Sequence, residues 1–145
     1  MRKDPVEIIV IEDKMEDRKS IVAALSRIVP AALIADFDDD RSALHFIRAE
    51  VSGDPKRSAA LRLIVLDFHL KNRTAPRVIG ELRAQKGLGL IPVVILSDSG
   101  DTKDIRESYE HGANAFIRKP VDFGEFNETV DLIGRFWLEA NESGS

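Results

Sequence analysis

Five short apolar runs alternate with amphipathic segments along the chain, and this alternation restricts the possible folds more than any other feature. The runs are rich in Val and Ile and lack the strict apolar–polar alternation of a strand with one wet face. Such runs are typical of strands that are covered on both faces. We assign strands to residues 7–12, 31–37, 61–67, 91–97 and 114–119.

Apolar residues recur at helical spacing in the segments between these strands. Ile21, Leu25 and Ile28 form such a stripe in the first segment, whereas the fourth has only Ile105 and Tyr109 and should be thinly anchored. Residues 52–58 are interpreted as a turn-rich loop before the third strand rather than a domain linker. The five helices are predicted to begin after the first strand, near Arg41, at Ala75, at residue 102 and from Asp122.

Regular alternation of strands and helices predicts an α/β fold with right-handed crossovers. We expect a single doubly wound parallel sheet of five strands, in the order 2-1-3-4-5, with five helices. A chain of 145 residues suits one domain. Its core should cover about residues 6–137, followed by a flexible tail over about 141–145.

The composition argues against several classes of function. The formal net charge is −4 with both signs interspersed, and the absence of basic blocks argues against nucleic-acid binding. No apolar run approaches the roughly 18 residues of a membrane span. The chain has no cysteine, which excludes disulfides and thiol catalysis. We therefore expect a cytoplasmic protein without nucleic-acid or membrane partners.

Polar side chains stand where the predicted strands end, which is where open α/β sheets form their sites. Glu12 and Asp13 follow the first strand and Asp67 ends the third, so these three carboxylates should meet on one rim. Their mutual repulsion would be relieved by a divalent cation such as Mg²⁺, which prefers oxygen ligands. Ser97 and Lys119 add a hydroxyl and a positive charge. This set suits an anion that forms on Asp67, and an aspartate can accept a phosphoryl group as a nucleophile.

In this order, the residues at the strand ends resemble those of response regulator receiver domains of two-component signalling, which have a flavodoxin-like fold. The segment "YEHGANAFIRKP" (109–120) is similar to the family's approach to its lysine, and the resemblance covers about residues 6–137. It implies that Asp67 is the phosphoacceptor and that Glu12 and Asp13 are the acidic pair that binds Mg²⁺.

The same resemblance assigns roles to residues that spacing alone would not single out. It implies that the backbone carbonyl of Phe68 is a further metal ligand, that Ser97 and Phe116 are the switch pair, and that Lys119 contacts the phosphoryl group. It also implies a cis peptide bond between Lys119 and Pro120. His69 lies two residues beyond Asp67, and it either tunes phosphoryl hydrolysis or is a rim residue.

The chain also departs from the family's pattern in the loop "HLKNRTAP" (69–76). Lys71 stands at the place of the family's usual proline and Ala75 at the place of its usual glycine. The loop should therefore follow a different backbone path.

The last helix carries more apolar surface than a core stripe needs. Leu132, Phe136 and Trp137 are either part of a wide core stripe or the face of a partner site, with a homodimer as the favoured partner.

We therefore expect a signalling protein, not an enzyme, that receives its phosphoryl group from a sensor histidine kinase. A narrower resemblance, in "SYEHGAN" and "FWLEAN" (136–141), is to stand-alone receivers that pair with bacterial phytochrome kinases. The alternative is a receiver fold that acts as a dimerisation or scaffold module independently of phosphorylation.

Overall fold

The centre of the molecule is one parallel sheet of five strands. The computed structural model describes residues 4–144 of the 145-residue chain. The strands are β1 (Ile8–Ile11), β2 (Ile34–Phe37), β3 (Leu63–Asp67), β4 (Val93–Ser97) and β5 (Ala115–Arg118). Their order across the sheet is β2-β1-β3-β4-β5, which confirms the predicted order.

Six helices connect and flank these strands. None of them, within residues 4–144, is long and apolar enough to cross a membrane. Asp39, Asp54, Asp101 and Asp122 each accept a backbone N–H at a helix start, as Asp side chains commonly do. The helices are α1 (Met15–Leu25), α2 (Asp40–Glu50), α3 (Pro55–Ala60), α4 (Ala75–Ala84), α5 (Thr102–Glu110) and α6 (Phe123–Arg135).

Helix α3 corrects the interpretation of residues 52–58 as a loop. Asp54 caps the N–H groups of Lys56 and Arg57, and Pro55 occupies the first helical position. Proline is favoured there because its missing N–H would have no helical partner. The helix has only six residues, too few to display a periodic stripe, so only its start signals could have revealed it.

The three central strands, β1, β3 and β4, are buried on both faces, as their Val- and Ile-rich runs predicted, whereas the edge strands β2 and β5 are partly exposed. Ile9 and Ile11 belong to the core layer under α2 and α4, while Ile8 and Val10 belong to the layer under α1 and α6. Helix α5 contributes far less, because Ser108 is its only buried residue. The prediction that this helix is thinly anchored is confirmed.

The end of α6 changes the phase of the apolar stripe. A π-helical turn over Phe136–Ala140 follows the helix, closed by a 2.7 Å hydrogen bond from Asn141 N to Phe136 O. This wider turn buries Leu138 and leaves Trp137 half-buried, although regular helical spacing predicted Trp137 in the stripe. The guanidinium of Arg62 donates to the Leu138 carbonyl and holds the turn against the sheet.

Gly134 allows α6 to approach α1 closely. A Cβ added there would clash with Ile28 Cδ1 and lie 3.1 Å from Leu25 Cδ2. We expect Gly134→Ala to lower the free energy of unfolding by about 1–2 kcal/mol, because overpacking forces side chains to move. Gly80→Ala is the matched control, because its Cβ would meet nothing within 4 Å, and it should instead stabilise α4 by up to about 1 kcal/mol. Urea denaturation of both variants checks this, and equal stabilisation by both would contradict the close packing.

Candidate functional site

Three carboxylates meet at the carboxyl ends of β1 and β3. Ile11 pairs with Leu66 in the parallel register, so the residues that follow, Glu12 and Asp67, lie side by side. Glu12, Asp13 and Asp67 each place an oxygen within 4.8 Å of the others. Glu12 is 1% exposed and Asp67 is 5% exposed. The predicted meeting of these side chains is confirmed, whereas their chemical roles stay predictions.

Lys119 enters this cluster from the end of β5. Its Nζ lies 2.7 Å from Glu12 Oε1, 2.9 Å from Asp17 Oδ2 and 3.5 Å from Asp67 Oδ1. Its backbone N–H donates to Ser97 O at 2.7 Å, which fixes the residue beside the end of β4. The sequence analysis missed Asp17. It lies in the first turn of α1, just after the Glu12–Asp13 pair, and only the folded structure shows that its carboxylate reaches Lys119.

Burial and like charge govern the protonation of the cluster. Burial, together with the Glu12 charge, raises the pKa of Asp67 to about 8, and Lys119 opposes this rise only in part. Burial also raises the pKa of Glu12, again against the effect of Lys119. Burial by itself would lower the pKa of Lys119, but its contacts with Glu12 and Asp67 place that pKa above its ordinary value. One ammonium group therefore leaves an excess of negative charge.

The donor set fits a divalent metal ion. Asp13 Oδ1 is buried and has no hydrogen-bond partner among residues 4–144, a costly state for a polar atom unless something else binds it. Carboxylate oxygens are the hard ligands that Mg²⁺ and similar ions prefer. The carbonyl oxygen of Phe68 already accepts a 2.9 Å hydrogen bond from Ala75 N, so its predicted role as a ligand would require that oxygen to be shared.

Ser97 and Phe116 lie on the other side of Asp67, on β4 and β5. Ser97 is fully buried, and its Oγ accepts a 3.2 Å hydrogen bond from Ser99 N. The half-buried Phe116 ring lies 5.9 Å, centroid to centroid, from the buried ring of Phe68. The Tyr109 hydroxyl accepts the backbone N–H of Phe116 at 3.1 Å. This contact joins α5 to the strand that carries the aromatic residue.

The rim of the site is lined by polar side chains. Lys14 forms an ion pair with Asp98, and both side chains are more than half exposed, so the pair contributes little to stability. The hydrogen bond from Lys14 is the main cause of a lowered Asp98 pKa. His69 is exposed and its ring lies edge-on to Phe68, with centroids 4.8 Å apart. Its role in hydrolysis stays a prediction.

Arg73 anchors the loop that follows Asp67, and the sequence analysis missed it. Its guanidinium contacts Asp40 Oδ2 at 2.7 Å and both oxygens of Glu81 at 2.7 Å. The loop itself closes through an isolated antiparallel bridge between His69 and Thr74. One side chain therefore ties the loop to α2 and to α4.

The prediction of a cis peptide bond between Lys119 and Pro120 was wrong, since the bond is trans. Trans is the more stable isomer of an X-Pro bond by about 0.5–1 kcal/mol unless surrounding contacts favour the other. Lys119 reaches the carboxylates with the bond in its trans form.

The apolar residues at the end of α6 divide between surface and core. Leu132 is 68% exposed and Phe136 is 52% exposed, whereas Trp137 is half-buried against the core and meets Phe136 edge-on. Together with Ile117 and Ile133 they line a cavity of about 600 Å³. Part of this segment therefore belongs to the core, and the role of its exposed residues as a partner face stays a prediction.

Residues 8–131 match the family model described as response regulator receiver domain. The "Probable methanogenesis regulatory protein FilR2" of Methanothrix harundinacea (strain 6Ac) is 30% identical, over 97% of this chain and 89% of that protein. The "Response regulator Rcp1" of Synechocystis sp. (strain ATCC 27184 / PCC 6803 / Kazusa) is 27% identical, over 93% of this chain and 90% of its own length. A solved structure of the phosphorylated cyanobacterial phytochrome response regulator RcpA is 28% identical, with a TM-score of 0.83 over 98% of this chain and 100% of that chain.

These matches identify the class of protein that the fold and the site had indicated. The chain belongs to the response regulator receiver domain family. Its predicted fold class and family resemblance are confirmed. Members of this family are signalling proteins that work with histidine kinases.

Proposed function

We propose that this chain is a phosphorylation switch, in which Asp67 accepts a phosphoryl group from a histidine kinase in the cytoplasm. The single observation that carries the proposal is the position of Asp67. It is buried at a strand end, with two further carboxylates within 4.8 Å and Lys119 Nζ at 3.5 Å. A buried acid so surrounded is poised for reaction rather than for stability.

In the transfer, one Asp67 oxygen forms a bond to phosphorus while the phosphorus–nitrogen bond to the kinase histidine breaks. The electron pair of that bond returns to the imidazole. Lys119, paired with Glu12 and Asp17 beforehand, stabilises the negative charge that gathers on the phosphoryl oxygens.

Glu12, Asp13 and Asp67 would hold Mg²⁺, and Phe68 would add its carbonyl only if that oxygen shares its bond with Ala75. The ion supplies positive charge that favours the ionised form of Asp67 and neutralises the transferred group. The buried, unpartnered oxygen of Asp13 supports this assignment.

Phosphorylation adds about −1.5 to −2 charges beside Ser97 and Lys119. We infer that the Ser97 hydroxyl then turns to donate to a phosphoryl oxygen and gives up its contact with Ser99. The space it leaves allows Phe116 to rotate inward. The Tyr109 hydroxyl accepts the backbone N–H of Phe116, so the change reaches α5, a thinly anchored helix whose only buried residue is Ser108.

We further propose that the output is a change in association through Leu132, Phe136 and Trp137, in a homodimer or with a partner. Leu132 and Phe136 are large apolar side chains in solvent, and such patches usually indicate contact. The similarity to RcpA, named as a phytochrome response regulator, favours a kinase of the bacterial phytochrome type. The same patch is exposed in the unmodified chain, which favours one alternative, a dimerisation module that acts without phosphorylation.

A labelling and sizing experiment tests the switch. The protein is incubated with acetyl phosphate, with and without Mg²⁺, and then measured by intact mass and by light scattering after chromatography. We expect Mg²⁺-dependent labelling and a change in association that Leu132→Ser removes without reducing the labelling. Lys103→Ser, on exposed α5, is the control variant. Association that is already complete without label would favour the constitutive module, and an unlabelled protein would contradict the switch.

A further inference from the structure

A cationic cleft lies between α2 and α4, beside the loop that follows Asp67. Its volume is about 440 Å³, and among the described residues four arginines line it, with Asp40 and Glu81 as the only acidic ones. The cleft therefore carries a net charge of +2 in a chain whose formal net charge is −4. Its arginines are Arg41, Arg48, Arg73 and Arg77.

Helical spacing directs these side chains into the cleft. Arg41, Leu44 and Arg48 lie three and four residues apart on α2, which places them on one face of the helix. Arg77 and Glu81 have the same relation on α4. The positive charge is therefore concentrated by the fold from two helices and a loop, and it is not a run of basic residues in the sequence.

Arg73 forms ion pairs with both carboxylates that line the cleft. It bonds Asp40 at 2.7 Å and both oxygens of Glu81 at 2.7 Å. Asp40 is 1% exposed and so offers nothing to an exposed arginine. The hydrogen bonds from Arg73 are the main cause of a lowered Glu81 pKa. The charges of Arg48 and Arg77 lower this pKa further, by smaller amounts.

The other three guanidinium groups are left without partners. Among residues 4–144, the side chains of Arg41, Arg48 and Arg77 make no hydrogen bond and no ion pair within 4.0 Å. All three are exposed. Three cations held around one concave surface repel one another, and a multivalent anion would remove that repulsion.

We propose that this cleft binds the oligophosphate group of a small molecule such as a nucleoside triphosphate. Guanidinium forks match phosphate oxygens, and the volume lies within the range of small-molecule sites, roughly 300–1,000 Å³. Leu44 is the only apolar residue that lines the cleft, so a nucleobase would gain little there. The phosphates, rather than the base, would therefore carry the recognition.

Calorimetric titration of the full chain in metal-free buffer of low ionic strength tests the proposal, with inorganic phosphate, pyrophosphate, triphosphate and ATP as probes. We expect triphosphate and ATP to bind with similar affinity, and both to bind more tightly than inorganic phosphate. The double variant Arg48→Gln/Arg77→Gln should weaken triphosphate binding at least tenfold. The double variant Arg106→Gln/Arg135→Gln makes the same change in net charge at exposed positions outside the cleft, and it should bind within twofold of the wild type.

The outcomes separate this site from the phosphoacceptor. Binding that survives Asp67→Asn supports the cleft, and Arg48→Gln/Arg77→Gln should still be labelled by acetyl phosphate. Undetectable binding of triphosphate to the wild type would overturn the proposal. Equal weakening by the two double variants would also overturn it. So would a loss of binding in Asp67→Asn that Arg48→Gln/Arg77→Gln does not show.

Discussion

Removal of the Lys119 charge is expected to destabilise the protein by about 3–5 kcal/mol near pH 7.5, the range seen when one partner of a buried ion pair is deleted. Lys119→Met keeps the length of the side chain and removes its ammonium group. Glu12 and Asp67 would then be buried without the cation that lies 2.7 Å and 3.5 Å from them. In metal-free buffer the remaining negative charge could be relieved only by taking up a proton.

Because this loss of stability comes from buried negative charge, its size should depend on pH. Lys119 now lowers the pKa of both Glu12 and Asp67 against the effect of burial, so its removal raises both values further. Protonated carboxyls need no cation, and the loss should therefore shrink as the pH falls toward about 5. Urea denaturation at two pH values checks this. Lys103→Met is the control, because Lys103 is exposed and lies 3.9 Å from Glu107. A loss that is equal at both pH values would contradict the electrostatic account.

Asp67→Asn is expected to stabilise the protein at neutral pH, on the order of 2–4 kcal/mol in the absence of metal. The folded carboxyl keeps its proton up to about pH 8, whereas the unfolded chain releases it near the ordinary aspartate pKa of 3.8. The folded state thus binds more protons between these values, and wild-type stability falls as the pH rises through that window. Asn does not ionise, so the variant loses this part of the pH dependence.

Denaturation of the wild type and Asp67→Asn from about pH 4 to pH 8 measures the difference between the two curves. It should be smallest at the acid end and grow toward pH 8. Asp38→Asn is the matched control. Asp38 is exposed, and its one ion pair, with Lys71 at 3.8 Å, is exposed as well. A variant that is less stable than the wild type at pH 7 would show that the Asp67 carboxylate stabilises the fold, contrary to this account.

The sheet and the cluster of carboxylates were predictable from the sequence because their signals are local. Each strand is a compact apolar run, and Asp67 interrupts its run where a buried strand ends. The order of the strands then brings Glu12 beside Asp67 through the pairing of Ile11 with Leu66. A polar residue at the end of an apolar run therefore served as a reliable guide to the site.

Contacts between distant parts of the chain were not predictable in the same way. Lys119 bonds Asp17 across 102 positions and Arg73 bonds Asp40 across 33, and no periodic pattern records such pairs. The π-helical turn breaks the regular helical spacing on which the prediction relied. It therefore buries Leu138 in the core, where the prediction had placed Trp137. The cis bond before Pro120 came from resemblance alone, and the structure has the trans isomer.

The most direct test of the central claim locates the phosphoryl group itself. The wild type is treated with acetyl phosphate and Mg²⁺, then with borohydride, which reduces an aspartyl phosphate to homoserine, and the digest is read by mass spectrometry. The account predicts homoserine at position 67, Mg²⁺-dependent and absent from untreated protein, and no trapped product in Asp67→Asn. Trapping at Glu12, Asp13 or Asp17 with Asp67 unmodified would contradict it, and so would an unmodified chain.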